Sequence, residues 1–375
     1  MTKRIYIRLN YLILLIYLAV IMYLFALMFN GGKIYQQNIN DIINIFSLIC
    51  LLLYIGKINV DSLQAIKVQT FKYISFIFPI IGLLAVAKFL MQQKGQNFSL
   101  LHIQTSVLPM GTSLKSDYNM FALGFCISLI ALMYCYNRAK KKSTQIYYIL
   151  GILINGLTIA FSGSRRGWVV LGIIVLIFLL KLLFGIFKRQ KRILISFSVT
   201  TVAVAVLWNL LGKGLIFSDS IAFRVIESRF TSLENFGQSY SGRTDRWIYG
   251  IELFKEYNTL QLIIGNGFLY LPKFAEMFTS NIAEDYPHNP IISALLYSGI
   301  LGAFISIMII FIPLIIYMSI IKKIGIEFTL IYMISLLFLI SSGNSLFSNN
   351  LLLLLICLSF LTRKKQIRKE SGNSS

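Results

Sequence analysis

Three short constellations carry the residue types that catalysis needs. The first is Gly163-Ser164-Arg165-Arg166-Gly167-Trp168, where two membrane-length apolar runs meet almost without a loop. An ionisable residue at the end of a membrane helix is expensive and marks a candidate functional site. Guanidinium groups there suit an anion; the alternative is that they snorkel to lipid headgroups. The second is Tyr286-Pro287-His288-Asn289-Pro290, where a hydrophilic stretch meets the next apolar run. His288 is the best general-base candidate, since imidazole ordinarily titrates near ~6.5 and can take a proton close to neutral pH. The alternative is that Pro287 and Pro290 shape the start of a helix, with His288 at the membrane interface. Gly299-Ile300-Leu301-Gly302 follows and permits close helix packing. The third is Ser241-Gly242-Arg243-Thr244-Asp245-Arg246-Trp247. Arginines here add guanidinium donors to an anion site at a helix N-terminus, or else they decorate a solvated surface helix with an Arg–Asp pair. The first reading is preferred for Arg243 and the second for Arg246.

The elements that must position these residues are membrane helices. Hydrophobic residues make up 57% of the chain and its mean hydropathy is +0.75, against roughly 45–50% apolar usage in soluble domains. Apolar runs recur that are long enough to cross a ~30 Å hydrocarbon core as helices. The alternation of an outer-membrane barrel is absent. The expected fold is an all-α polytopic membrane protein of about ten transmembrane helices. They lie near 9–29, 41–57, 72–91, 118–137, 145–163, 167–187, 192–213, 290–320, 328–345 and 347–362. The first run is read as a retained helix, because no small-residue cleavage site follows it. The net charge of +21 is not a nucleic-acid signal, because most basic residues cluster at helix ends. The clusters are Lys3/Arg4/Arg8, Lys57/Lys67/Lys72, Arg138 with Lys140–Lys142, Lys188/Arg189/Lys191/Arg192, Lys322/Lys323, and Arg363 to Lys369. Ten spans put every cluster on one side, which the positive-inside rule makes the cytoplasm, together with both termini. Arg165 and Arg166 then fall on the outer side, against the usual cationic bias, where something anionic would need them.

The expected organisation is an N-terminal bundle of about seven spans over 1–213, an extracytoplasmic loop over 214–289, and about three spans with a basic tail over 290–375. The loop holds nine of the chain's fourteen acidic residues, and loops this long are usually functional or structured. Trp247, Ile251, Phe254 and Tyr257 recur at helical spacing, so an amphipathic helix is expected there, lying on the membrane surface or forming a lid over its core. Gly265-Asn266-Gly267 reads as a turn. Cys50, Cys126, Cys135 and Cys357 all lie within apolar runs and act as small apolar residues. No metal-ligand cluster, Walker loop or dinucleotide fingerprint is present in the sequence.

Taken in order, Ser164-Arg165, Gly242-Arg243 with Trp247, Gly265-Asn266-Gly267, and His288-Asn289 with Gly299 and Gly302 resemble the O-antigen ligase and Wzy-type polysaccharide polymerase superfamily. Asp117-Tyr118-Asn119 is similar to an Asp-x-Asn element common in that family. The resemblance covers roughly 117–305. The chain departs from the pattern at Arg166, where many members have a small residue; Arg165 is preferred for the family role because it follows Ser164.

The resemblance implies an integral-membrane glycosyltransferase of C-type fold at the outer face of the bacterial cytoplasmic membrane. It would be inverting and metal-independent, use a polyprenyl-diphosphate-linked glycan as donor, and need no cofactor. Arg165 and Arg243, with Arg166 and Arg246 beside them, would hold the diphosphate of an undecaprenyl leaving group. His288 would be the base, and Ser164, Asn289, Asp117 and Asn119 would support the site. Partners would be lipid-linked oligosaccharides as donor and acceptor and the membrane lipids, with room for a chain-length regulator. The sequence favours a polymerase joining repeat units of a surface polysaccharide; the alternative is a ligase transferring the glycan to lipid A-core or protein. A flippase or other transporter is less favoured, because the charges gather at the outer edge and not at mid-membrane.

Overall fold

The structure, a computed structural model, describes residues 2–29, 33–55, 60–93, 111–115, 117–183, 242–278, 286–319, 326–340, 343–356 and 359. Its regular elements are helices, with no strand among the described residues. In order they are α1 (Thr2–Met28), α2 (Gln36–Ile55), α3 (Val60–Gln93), α4 (Tyr118–Arg138), α5 (Lys142–Ala160), α6 (Arg165–Leu183), α7 (Gly242–Lys255), α8 (Thr259–Ile264), α9 (Tyr270–Phe278), α10 (Pro290–Ser319) and α11 (Ile326–Ile340). Short 3-10 turns lie at Gly267–Leu269 and Leu346–Ser348, and 350–356 is again helical. Among the described residues, Lys67–Gln92, Tyr118–Arg138, Lys142–Ala160 and Pro290–Met318 are long and apolar enough to cross a membrane, and Leu12–Met28 and Ile326–Ile340 are shorter apolar helices. The protein is a helical membrane protein. The expected seventh span, 192–213, and much of the expected loop over 214–241 lie outside the described residues. The end of the expected tenth span lies outside the described residues; between the expected ninth and tenth spans, α11 is described to Ile340 and 343–349 is not α-helical. Polar side chains hold that turn, with Ser345 accepting from the Phe347 amide and Asn349 capping the next helix through the Leu352 amide.

The chain divides into two compact units, Ala65–Ser239 and the remainder, Met1–Gln64 with Tyr240–Ser375. In the first, α4 is the central element. Nearly every residue from Phe121 to Tyr136 is buried, as expected of a helix that is apolar all round and surrounded by protein. Phe78 of α3 meets Phe125 edge-on at 5.2 Å, and Asn155 of α5 donates to Ser128 of α4 at 2.7 Å in the buried interior. Without a hydrophobic driving force between helices in lipid, such packing and hydrogen bonding hold them together.

In the second unit, α10 is central and packs against α1, α7, α8 and α11. It is two helices joined at Gly299, which has φ +67° and ψ −166°. The segment 300–319, at ~1.5 Å per residue, is about 30 Å long and is by itself of membrane length. The break leaves carbonyls of the first segment available to other donors. The Leu296 carbonyl accepts from the Asn266 amide at 3.0 Å and from Tyr257 Oη at 3.3 Å. Burial holds the Tyr257 phenol well above its ordinary pKa, so it remains a donor. The expected glycine turn is present, with Gly265 at φ +81° and Gly267 at φ +60°. Gly265 and Gly299 meet backbone to backbone: a Cβ on Gly299 would lie 2.3 Å from the Ile263 carbonyl oxygen. Gly299 thus makes a break and a crossing point, where helix packing alone was expected.

Candidate functional site

Within Ala65–Ser239, the segment from α5 to α6 carries Arg165 and Arg166 at the start of a capped helix. Ser162 Oγ closes the end of α5 by donating to the Ile159 carbonyl at 2.8 Å and accepts from the Ser164 amide at 3.2 Å. Ser164 then caps α6, its Oγ accepting from the Gly167 amide at 3.1 Å, the usual way to satisfy a free N–H in the first turn of a helix. The same hydroxyl donates to Asn119 Oδ1 at 2.9 Å. Asp117 caps α4 by accepting from the amides of Asn119 and Met120 at 2.9 and 3.1 Å. Asp117, Asn119 and Ser164, read from separate parts of the sequence, therefore form one chain of hydrogen bonds. It joins the N-termini of two helices immediately before Arg165. Arg165 is exposed and Arg166 is buried, while Trp168 Nε1 donates to the Ala160 carbonyl at 2.9 Å and fastens the turn. A guanidinium on the first residue of a capped helix adds its charge to the positive end of the helix dipole, a combination suited to phosphate.

In the other unit, Arg243 and Arg246 lie in the first turns of α7, both half-buried. The Arg246 guanidinium sits 4.7 Å from the centre of the Phe278 ring, an arrangement that stabilises a cation on an aromatic face. A helix is present over the expected stretch, but the residues it buries differ from the expected stripe: Gly250 and Leu253 are buried, whereas Ile251 is 43% exposed. Gly250 lies against Ile292 and Leu296, so α7 crosses the first half of α10. Lys273 and Glu256 pair at 3.8 Å on the surface, a contact worth little in water.

His288 lies directly before the cap of α10 and is half-buried, with Pro287 and Asn289 buried on either side. Among the described residues it is the only non-glycine with a positive φ, at +53°. The Tyr286 ring stands against the imidazole, with centroids 4.1 Å apart. Asn289 Oδ1 accepts from the Ile291 amide at 2.9 Å and the Ile292 amide at 3.3 Å, and Pro290 takes the first helical position, where a missing N–H does no harm. The prolines and Asn289 shape a helix start, and His288 directly before it is held in a sparsely populated backbone conformation. No group of three or more His, Cys, Asp or Glu side chains is placed to hold a metal ion among the described residues.

Sequence reasoning missed three buried polar residues. Asp41 is 2% exposed and accepts from Tyr23 Oη at 2.9 Å and from Ser345 Oγ. Lys88 is fully buried, with Nζ 2.7 Å from the Ser113 carbonyl. Asn344 is 5% exposed and joins three elements. The first two were visible as lone charges in apolar runs, a recognised signal; Asn344 had no signal beyond a Gly-Asn turn.

Residues 149–307 match a family model described as O-antigen ligase. The matched segment contains Ser164, Arg165, Arg166, Arg243, Arg246, His288 and Asn289, and leaves Asp117 and Asn119 outside. The resemblance read from the motifs, to the O-antigen ligase and Wzy-type polymerase superfamily of glycosyltransferase-like enzymes, is borne out there. No curated protein matches the chain.

Proposed function

We propose, from the premise that residues 149–307 are of the O-antigen ligase and Wzy-type polymerase superfamily, that the protein is an inverting glycosyltransferase. It joins polyprenyl-diphosphate-linked repeat units of a surface polysaccharide at the outer face of the bacterial cytoplasmic membrane. The acceptor sugar hydroxyl attacks the anomeric carbon of the donor as the bond from that carbon to the diphosphate oxygen breaks. The hydroxyl proton passes to His288, and the polyprenyl diphosphate leaves with the bonding pair. Arg165 and Arg243 supply guanidinium donors to the diphosphate as its charge grows, where fixed positive charge counts most. A single displacement needs one base and no pair of carboxylates.

The observation that carries this reading is the backbone of His288. A left-handed histidine between buried neighbours, directly before a helix cap, is held there against its preference. Such outliers cluster at functional sites. The test is His288→Ala in purified protein given lipid-linked repeat units, with donor binding and product length followed together. General-base loss lowers turnover by roughly 10²–10⁴-fold while donor still binds. His102→Ala, outside any of the motifs, keeps most activity. Wild-type turnover by His288→Ala across pH 6–8 overturns the mechanism.

A second reading, transfer of the finished glycan to lipid A-core or protein, is favoured by the matched family's description as a ligase. The glycan profile of a deletion strain separates the two. Core capped with single repeats marks a lost polymerase; uncapped core beside intact lipid-linked polymer marks a lost ligase.

A further inference from the structure

His288 occupies a backbone conformation that an L residue keeps only where its surroundings over-determine it. Asn289, fused to it, caps α10 and fixes the position of the first turn. That turn is fastened in its own right. The Ser293 amide donates to the Asn289 carbonyl at 2.9 Å, and Ser293 Oγ donates to Asn344 Oδ1 at 3.2 Å. Tyr270 Oη, at the start of α9, donates to the same oxygen at 3.0 Å. Asn344 Nδ2 donates to Gln37 Oε1, at the start of α2, at 3.2 Å. One primary amide therefore accepts twice and donates once. A carboxamide can do so, because its oxygen carries two lone pairs and its nitrogen two N–H donors. Asn344 and Ser293 are almost wholly buried, at 5% and 0% exposure, so water does not replace these bonds when they are lost.

We infer that Asn344 is a positioning residue for His288. Its hydrogen bonds run to Ser293, Tyr270 and Gln37, and it acts through them. By holding Ser293 against Tyr270 and Gln37 it fixes the rotation and height of the first turn of α10, on which the capped, left-handed His288 is mounted. This inference rests on His288 being the base. A base must sit within hydrogen-bond reach of the acceptor hydroxyl, and small errors of placement are heavily penalised.

The test uses the purified full chain with lipid-linked repeat units and compares Asn344→Leu, Asn344→Asp, His288→Ala and the double variant Asn344→Leu/His288→Ala. Thermal unfolding in the same detergent reports whether each variant folds. Asn344→Leu should lower kcat by about 10²-fold, the loss a misplacement of roughly 1 Å causes, and leave donor KM within about 2-fold, since the donor's diphosphate is held elsewhere. Asn344→Asp keeps the oxygen that Ser293 and Tyr270 share, and should retain kcat within about 10-fold. Added to His288→Ala, Asn344→Leu should change kcat by less than about 3-fold, because the group through which it acts is already gone. If Asn344→Leu does not fold, Ser293→Ala removes a single hydroxyl from the same tie and should show the same coupling to His288 at smaller amplitude. Equal fractional losses in the His288 and His288→Ala backgrounds would make the amide a structural tie only and overturn the inference. Unchanged kcat in folded Asn344→Leu, with His288→Ala inactive, overturns it while leaving the role of His288 standing. Wild-type kcat in His288→Ala defeats the underlying reading itself.

Discussion

Replacing Gly299 by alanine attacks the point where α8 and α10 cross. Gly299 has φ +67° and ψ −166°, a region essentially reserved for glycine, where a residue with a Cβ loses about 1–3 kcal/mol. The new methyl carbon would stand 2.3 Å from the Ile263 carbonyl oxygen, 2.4 Å from its carbon and 2.7 Å from the Gly265 nitrogen. These are backbone atoms and cannot swing aside as a side chain would. Relieving such overpacking costs about 1–3 kcal/mol. Gly299→Ala should therefore lose roughly 2–6 kcal/mol in all, a large part of the ~5–15 kcal/mol that holds a typical domain folded. Gly265→Ala strikes the same crossing from the other side, with its Cβ 2.3 Å from the Ser298 nitrogen and the Tyr297 carbonyl carbon. Because both changes open one contact, the double variant should lose less than the sum. Gly172→Ala is the control, since nothing lies within 4 Å of its Cβ; alanine in that helix interior should be neutral or add about 0.5–1 kcal/mol. The measurement is equilibrium unfolding of purified protein in detergent, followed by tryptophan fluorescence. A Gly299→Ala variant within about 0.5 kcal/mol of wild type, the range of inert surface changes, would refute both the crossing and the break in α10.

Arg165→Lys and Arg243→Lys replace a bidentate fork by a point charge, and each should lower turnover by roughly 10²–10³-fold with normal expression; near-normal polymer from both would mean that these arginines only snorkel or face solvent. Ser164→Ala removes the cap of α6 and the bond to Asn119, and should lower unfolding stability by about 0.5–2 kcal/mol; no change would show that the cap is dispensable. For topology, Ser239→Cys should react with an impermeant maleimide in intact spheroplasts and Ser371→Cys should not, and labelling of both or the reverse pattern removes the outer active site from consideration.

The helices of the structure were legible where apolar runs were long and uninterrupted: α4 and α5 match their expected spans within a few residues. The start of α6 was expected at 167 and lies at Arg165, because Ser164 caps the helix, a signal that a count of apolar residues passes over. The buried face of α7 was misread because period alone fixes a stripe, not which stripe faces protein. Ile251 has the right hydrophobicity, yet α7 meets α10 through Gly250, a residue with no hydrophobic signal at all. The glycine turn at 265–267 and Gly299 were each noticed, but their meeting involves backbone atoms 34 residues apart in sequence. No local pattern encodes such a contact. The bond from Ser164 to Asn119 and the network on Asn344 are of the same kind, since a hydroxyl or amide in the sequence shows its capacity to bond and not its partner.

The placement of Lys88 bears on how this chain is made. An ammonium near the end of a membrane helix is tolerated during insertion only if it reaches the interface or finds an acceptor. In the finished protein Lys88 bonds to the Ser113 carbonyl, and the neighbouring Thr112 is itself fixed by its amide on the Phe161 carbonyl and its hydroxyl on the Thr158 carbonyl. The acceptor is thus synthesised about two dozen residues after the lysine, and it is anchored only when the end of α5 has followed. α3 enters the bilayer before the Ser113 carbonyl is in place. A truncation of the nascent chain before Phe161, which removes the anchor of Thr112, should therefore leave α3 more accessible to modification from the aqueous side than it is in the full chain.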